Sequence, residues 1–176
     1  KVMEYVNTQK RAVNIKITYE DELLGSGGTI KKNWDFVENE GCFYIIYSDN
    51  LTNINLTRMF EFHRLKGADF TLALIRVPNP EECGIVEVDR DLRIISFKEK
   101  PKNPSSDLAF AGIMISSNRL KDYFPDGDVF DLGYDVIPNL LGNTYGYIMD
   151  EYLIDIGTHD KLEKAVEDMK KGILKF

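Results

Sequence analysis

The residues Phe43-Tyr44-Ile45-Ile46-Tyr47 form an unbroken apolar and aromatic run that stops abruptly at Ser48-Asp49-Asn50. A short run of this kind, ended by turn residues, predicts a strand buried on both faces, as in a parallel sheet. The pattern returns from Phe70 to Val77, closed by Pro78-Asn79-Pro80. Asp49 has two readings at this point. Asp and Asn are common where a strand turns. Ligands of open α/β sheets also bind beyond the carboxyl ends of strands, where Asp49 is expected.

The segments around these runs alternate in period. Val13 to Ile17 alternates apolar and polar and predicts a short strand, while Val2 to Val6 reads as the end of a helix. Gly25-Ser26-Gly27-Gly28 predicts a flexible turn, followed by a helix from Thr29 to about Glu38 with Ile30, Trp34 and Val37 inward. Asn55 is placed to cap a helix bearing Leu56, Met59, Phe60 and His63. Gly84–Val88 and Leu92–Phe97 read as a hairpin, Leu108–Ile115 as a strand and 117–123 as a short helix. Asp135–Leu141 reads as helical, Tyr145–Met149 as a strand, and Thr158 as the cap of a last helix that ends before Gly172. Strands alternating with helices imply a single α/β unit over 1–176 with a mostly parallel, mixed sheet and an inserted hairpin.

Charge and composition narrow the function. The net charge of −7 over 176 residues argues against nucleic acid, whose binders carry a basic patch or stripe. It leaves room for a phosphate-bearing small molecule neutralised locally by a metal ion. No run approaches the length of a membrane span, and the chain opens on no secretory signal pattern. Cys42 and Cys83 are too few for a disulfide framework or a zinc site, so the cytoplasm is the expected compartment.

Four clusters can carry chemistry. Leu24-Gly25-Ser26-Gly27-Gly28-Thr29 lets a backbone approach a ligand ahead of a helix, or is only a turn. It matches neither a P-loop nor a dinucleotide fingerprint. Asp49 is the second. Asp155 is the third, a single carboxylate inside Tyr152–Thr158 that needs a donor, a basic group or a metal. Two aspartates at strand ends without His or Cys suit Mg²⁺, which is held by one or two carboxylates plus substrate phosphates. The fourth is Phe97-Lys98-Glu99-Lys100-Pro101, either a charged strand end or a carboxylate for sugar hydroxyls beside an ammonium for phosphate. His63 and His159 lack a nucleophile's context, so a triad hydrolase gains no support.

Taken in order, L-G-S-G-G-T, F-Y-I-I-Y-S-D-N, C-G-I-V-E-V-D, F-K-E-K-P, A-G-I and I-D-I-G-T resemble the sugar-phosphate nucleotidylyltransferase family. Mannose-1-phosphate and heptose-phosphate guanylyltransferase-like members are the most similar, over about Lys16 to Lys171. The resemblance implies a Rossmann-like nucleotidylyltransferase sandwich that moves a nucleotidyl group from a nucleoside triphosphate to a sugar 1-phosphate. It implies Mg²⁺ on Asp49 and Asp155, and Leu24, Gly25 and Gly28 against base and ribose. Gly84, Glu99, Lys100 and Gly112 would face the sugar phosphate, with Glu99 on hydroxyls and Lys100 on phosphate.

The family's opening G-x-G-T-R does not occur in these 176 residues, and Phe110 stands where the family usually has Asn. The expectation is therefore an N-terminally incomplete unit, inactive alone and prone to self-association through 43–47 or 13–17. Two rivals stand beside it. A glycosyltransferase would show D-x-D where this chain has Ser48-Asp49-Asn50. A non-catalytic nucleotide or sugar-nucleotide binding module would dispense with the phosphate loop altogether.

Overall fold

The computed structural model of the chain describes residues 2–8 and 13–175. Helices α1 (Val2–Thr8), α2 (Gly25–Lys32), α3 (Leu56–Lys66) and α4 (His159–Lys170) accompany eight strands. These are β1 (Cys42–Ile46), β2 (Asn50–Thr52), β3 (Phe70–Arg76), β4 (Gly84–Val88), β5 (Ile94–Glu99), β6 (Leu108–Ser117), β7 (Thr144–Ile148) and β8 (Leu153–Asp155).

β6 is the spine of the main sheet. One edge pairs antiparallel with β3 along most of its length. The other edge is shared by β1, opposite Ile113–Ser117, and by β4, through Ile85 opposite Ala109. β5 extends the sheet beyond β4, and β7 lies parallel to β3 on the far side. The expected α/β class and mixed sheet are present, but the sheet is not mostly parallel. Among the described residues only the β3–β7 ladder of this sheet is parallel. A parallel neighbour needs a crossover of a dozen or more residues, usually a helix. Between β3 and β6 the chain offers only the β4–β5 hairpin, so β6 returns antiparallel.

The two faces are covered differently. Leu72, Leu74, Val86, Phe97 and Met114 meet Trp34, Phe130, Leu132 and Val136 on one side. Ala73, Ala111, Ile113 and Ile115 meet Met59 and Met149 on the other. Neighbouring residues alternate between the clusters, as the pleat requires. Capping follows the sequence. Asn55 Oδ1 accepts from Arg58 N at 3.0 Å, Gly67 ends α3 at φ +56°, and Thr158 caps α4.

Several local expectations change. Val13–Ile17 joins no sheet, and its apolar residues stay exposed because no neighbouring strand receives its backbone. The Gly25–Gly28 turn is instead the first turn of α2, which yields at Asn33 to a 3-10 turn at Trp34–Phe36. Gly27 N and Gly28 N both donate to Phe130 O at 3.1 Å, satisfying donors that a helix start leaves open. A π-helical turn at Leu132–Val136 and a 3-10 turn at Ile137–Asn139 replace the helix expected at Asp135–Leu141. Asp131 caps the first of these, accepting from Gly133 N and Tyr134 N. The short helix expected at 117–123 is present as a 3-10 helix at Asn118–Tyr123.

Candidate active site

β1 ends at Ile46, and the chain turns through Tyr47–Asp49 into β2, which pairs antiparallel with β8. Asn50 stands opposite Asp155 in that ribbon, and Ile156 N donates to Asp49 O at 2.8 Å. The ribbon thus brings the two aspartates together. A Cβ placed on Gly157 would stand 2.9 Å from Asp155 Oδ1 and 3.7 Å from Asp49 Oδ2. Gly157 leaves that space free.

Asp155 is already partnered. Oδ1 accepts from Gly157 N and Oδ2 from Lys161 Nζ, both at 2.7 Å. The Lys161 bond, with help from the Gly157 N–H, holds its carboxyl below the ordinary value. In return Asp155 raises the Lys161 ammonium. No group of three or more His, Cys, Asp or Glu side chains suited to a metal occurs among the described residues. Two carboxylates around one gap, one of them already drawing an ammonium, fit a cation that also takes ligands from phosphate.

Two cavities meet at Asp49 and Tyr47, which line both. The smaller, about 380 Å³, is also lined by Asp155, Gly84, Glu99, Lys100, Phe110 and Gly112. Glu99, opposite Gly84 at the end of β5, is held where neither Gly84 nor Gly133 has a side chain. A Cβ at either would fall 2.6 or 2.8 Å from Glu99 Oε2. Burial pushes the Glu99 carboxyl up, opposed by adjacent Lys100. Lys100 has φ +44°, a left-handed conformation unusual for a side-chain-bearing residue, and its N donates to Cys83 O at 3.0 Å. Such a costly backbone at the mouth of a cavity is a feature of ligand sites.

Gly112 sits where β6 bulges out of register with β3, at φ +69°. Asn50 Nδ2 donates to Ala111 O at 2.9 Å, and a Cβ on Gly112 would collide with that nitrogen at 2.4 Å. Phe110 packs edge-on to Tyr47 and Phe97, giving this cavity an aromatic wall.

The larger cavity, about 560 Å³, is lined by Glu20, Leu24, Gly25, Ser26 and Thr29 as well as by Tyr47 and Asp49. Gly28 is not on this wall. It is buried, a Cβ there would fall 2.2 Å from Asp128 O, and it borders a separate hollow beside Leu24, Lys31 and Lys32. Ser26 Oγ donates to Asp131 Oδ2 at 2.7 Å and accepts from Leu132 N at 2.8 Å. That pair ties the start of α2 to the loop bordering the smaller cavity. Burial pushes the Tyr47 hydroxyl up to about 12, partly offset by its hydrogen bond to Ser26, so it stays a donor at neutral pH.

Six of the sequence-predicted residues therefore gather in the smaller cavity, and Leu24 and Gly25 in the larger. Tyr47, Asn50, Glu20, Ser26, Asp131, Gly133 and Lys161 also border the site or hold it. Asn50 and Ser26 stood inside the motifs. Asp131, Gly133 and Lys161 are joined to the site only by tertiary folding.

A family model described as Nucleotidyl transferase matches residues 1–172. The chain belongs to the nucleotidyl transferase family. It is 31% identical over 168 residues to mannose-1-phosphate guanylyltransferase of Mycobacterium tuberculosis, covering 92% of this chain and 46% of that protein. It is 36% identical over 178 residues to glucose-1-phosphate adenylyltransferase of Clostridium botulinum, covering 91% and 46%. The chain thus spans about half the length of these relatives. Among solved structures, HddC from Yersinia pseudotuberculosis superposes with a TM-score of 0.78 at 22% identity, over 96% of this chain and 72% of that one. That likeness shows a shared fold.

Proposed function

We propose that the chain serves transfer of a nucleotidyl group from a nucleoside triphosphate to a sugar 1-phosphate, giving a nucleoside-diphosphate sugar and pyrophosphate. The observation that carries this reading is Asp49, which borders both cavities and faces Asp155 across one gap. One cavity then takes each substrate, and the reacting phosphates meet between them.

In this arrangement Glu99 accepts from sugar hydroxyls and Lys100 holds the phosphate of the attacking sugar. Gly84 and Gly112 leave the backbone open to the ligand, and Phe110 presents an apolar wall to the sugar ring. Leu24 and Gly25 lie against base and ribose, while Gly28 supports them through its packing on Asp128. A sugar-phosphate oxygen attacks the α-phosphorus, a new P–O bond forms, and the bond to the bridging oxygen breaks to release pyrophosphate. Two anions must approach, so positioning and charge neutralisation are the main requirements. Mg²⁺ held by Asp49 and Asp155 would supply that neutralisation at the phosphates.

A second reading, binding without turnover, is favoured by one observation. Among the described residues, the lining of the larger cavity includes no lysine or arginine, so these side chains bring little positive charge to a triphosphate. No helix among the described residues is long and apolar enough to cross a membrane. With both described cysteines free, we assign the chain to the cytoplasm.

Calorimetric titration with mannose 1-phosphate and glucose 1-phosphate tests the assignment of the smaller cavity. Saturable binding that falls about tenfold or more in Lys100→Ala is expected, since a charge-assisted phosphate contact is lost. Binding indifferent to that substitution would remove the assignment.

A further inference from the structure

Ser26 stands on the wall of the larger cavity, yet its hydroxyl has nothing left to offer a ligand there. Oγ donates its one proton to Asp131 Oδ2 at 2.7 Å and accepts from Leu132 N at 2.8 Å. The Tyr47 hydroxyl also bonds to Ser26, and with the Ser26 proton given to Asp131 it must be the donor. A serine hydroxyl has one donor and two acceptor positions, and all three are filled. What Ser26 holds lies on the other cavity. Asp131, Gly133 and Tyr134 line the smaller one. Asp131 Oδ1 accepts from Gly133 N at 2.8 Å and from Tyr134 N at 3.1 Å, closing the start of the π-helical turn Leu132–Val136. Such turns are rare and recur at functional sites. Gly133 in turn abuts Glu99, since a Cβ on Gly133 would fall 2.8 Å from Glu99 Oε2. A line of contacts thus runs from Ser26 through Asp131 and Gly133 to Glu99.

We infer that Ser26 is a positioning residue for the sugar phosphate, acting on the smaller cavity from the wall of the larger one. The inference rests on the nucleotidyl-transfer reading above and adds a residue that the sugar phosphate need not touch. The geometry of a binding site depends on the hydrogen bonds that lock its contact residues from behind. Without the Ser26 hydroxyl, Asp131 Oδ2 loses the donor that fixes its carboxylate plane, and Leu132 N loses its acceptor. The turn against Glu99 is then no longer fixed. The rest of the loop stays anchored. Phe130 N donates to Leu24 O at 3.0 Å, and Phe130 O accepts from Gly27 N and Gly28 N at 3.1 Å, bonds that Ser26→Ala leaves in place. The substitution therefore loosens the turn without detaching the loop from α2.

Calorimetric titration of the full chain with glucose 1-phosphate and mannose 1-phosphate, and separately with GTP and ATP in the presence of Mg²⁺, tests this. Ser26→Ala is expected to weaken the sugar phosphates about tenfold and the nucleotides no more than about twofold, since the lost bonds stand behind one cavity only. Ser26→Thr, which keeps the hydroxyl, should restore sugar-phosphate affinity to within about twofold of wild type. If Ser26→Ala fails to fold, Ser26→Cys, whose thiol donates only weakly, should show the same selective loss at smaller amplitude. Sugar-phosphate affinity unchanged in these variants, or sugar phosphate and nucleotide weakened equally, would overturn the inference and leave the assignment of the smaller cavity standing. Failure of the wild-type chain to bind either sugar phosphate would overturn that assignment, and the inference with it.

Discussion

Lys161 Nζ lies 2.7 Å from Asp155 Oδ2, so an ammonium already rests against the carboxylate that faces Asp49. A divalent ion at this gap must share Asp155 with Lys161 or displace it. Replacing Lys161 by Met removes the competitor. Mn²⁺ affinity, followed by the loss of the free-ion paramagnetic resonance signal, should rise by about 1.4- to fivefold, the range set by an exposed ion pair of ~0.2–1 kcal/mol. Unchanged or weaker Mn²⁺ binding would show that Lys161 assists the site rather than competing for it.

The same contact sets a pH dependence. The Lys161 hydrogen bond, and after it the Gly157 N–H, holds the folded Asp155 carboxyl below its unfolded value. A depressed folded value means that the contribution to stability is fully present above the unfolded pKa, about 3.9. It is lost as pH falls through the folded value. Carboxyl-carbon NMR titration should therefore place Asp155 below the ordinary aspartate range, and Lys161→Met should move it upward. Identical midpoints in the two proteins would exclude the contact as the cause.

Gly112 and Gly41 make a paired test of the bulge that admits Asn50 to the site. Gly112 has φ +69° and no room for a Cβ, whereas Gly41 has nothing within 4 Å of that position. Gly112→Ala is expected to lower stability in urea by ~1–3 kcal/mol, and Gly41→Ala to change it by no more than ~0.5 kcal/mol. Equal effects would mean that the bulge tolerates a side chain.

β1 pairs with β6 on one edge and with no strand on the other among the described residues. A 330 Å³ hollow lined by Phe43, Tyr44, Ile45 and Ile46 follows that strand. Open edges of this kind recruit another chain. We propose that the chain self-associates here, and sedimentation should show mass rising with concentration. Ile46→Lys should suppress the rise. A concentration-independent monomer would contradict the proposal.

The strands were legible where the sequence is continuously apolar, as at Phe43–Tyr47 and Phe70–Arg76, and the caps at Asn55 and Thr158 were readable from residue type. Burial of Phe43–Tyr47 on both faces was not borne out, since β1 is an antiparallel edge strand, half-buried with Ile46 exposed. Parallel and antiparallel pairing was not legible, because β6 carries the same apolar composition in either direction. Val13–Ile17 shows the limit of alternation, since a strand also needs a neighbour. The glycines of α2 read as a turn because their partner, Phe130 O, lies a hundred residues away. Asp49, Asp155, Glu99 and Lys100 could be named from their motifs. Lys161 and Asp131 could not, because their roles depend on contacts that only the folded chain makes.

The most direct test of the account is Mn²⁺ titration of the wild-type chain, Asp49→Asn and Asp155→Asn in the presence of GTP. Two carboxylates sharing one ion predict a single site in the wild type, weakened about tenfold or more by each substitution, because each removes one of few anionic ligands. Binding that survives both substitutions unchanged would contradict a metal site built from Asp49 and Asp155.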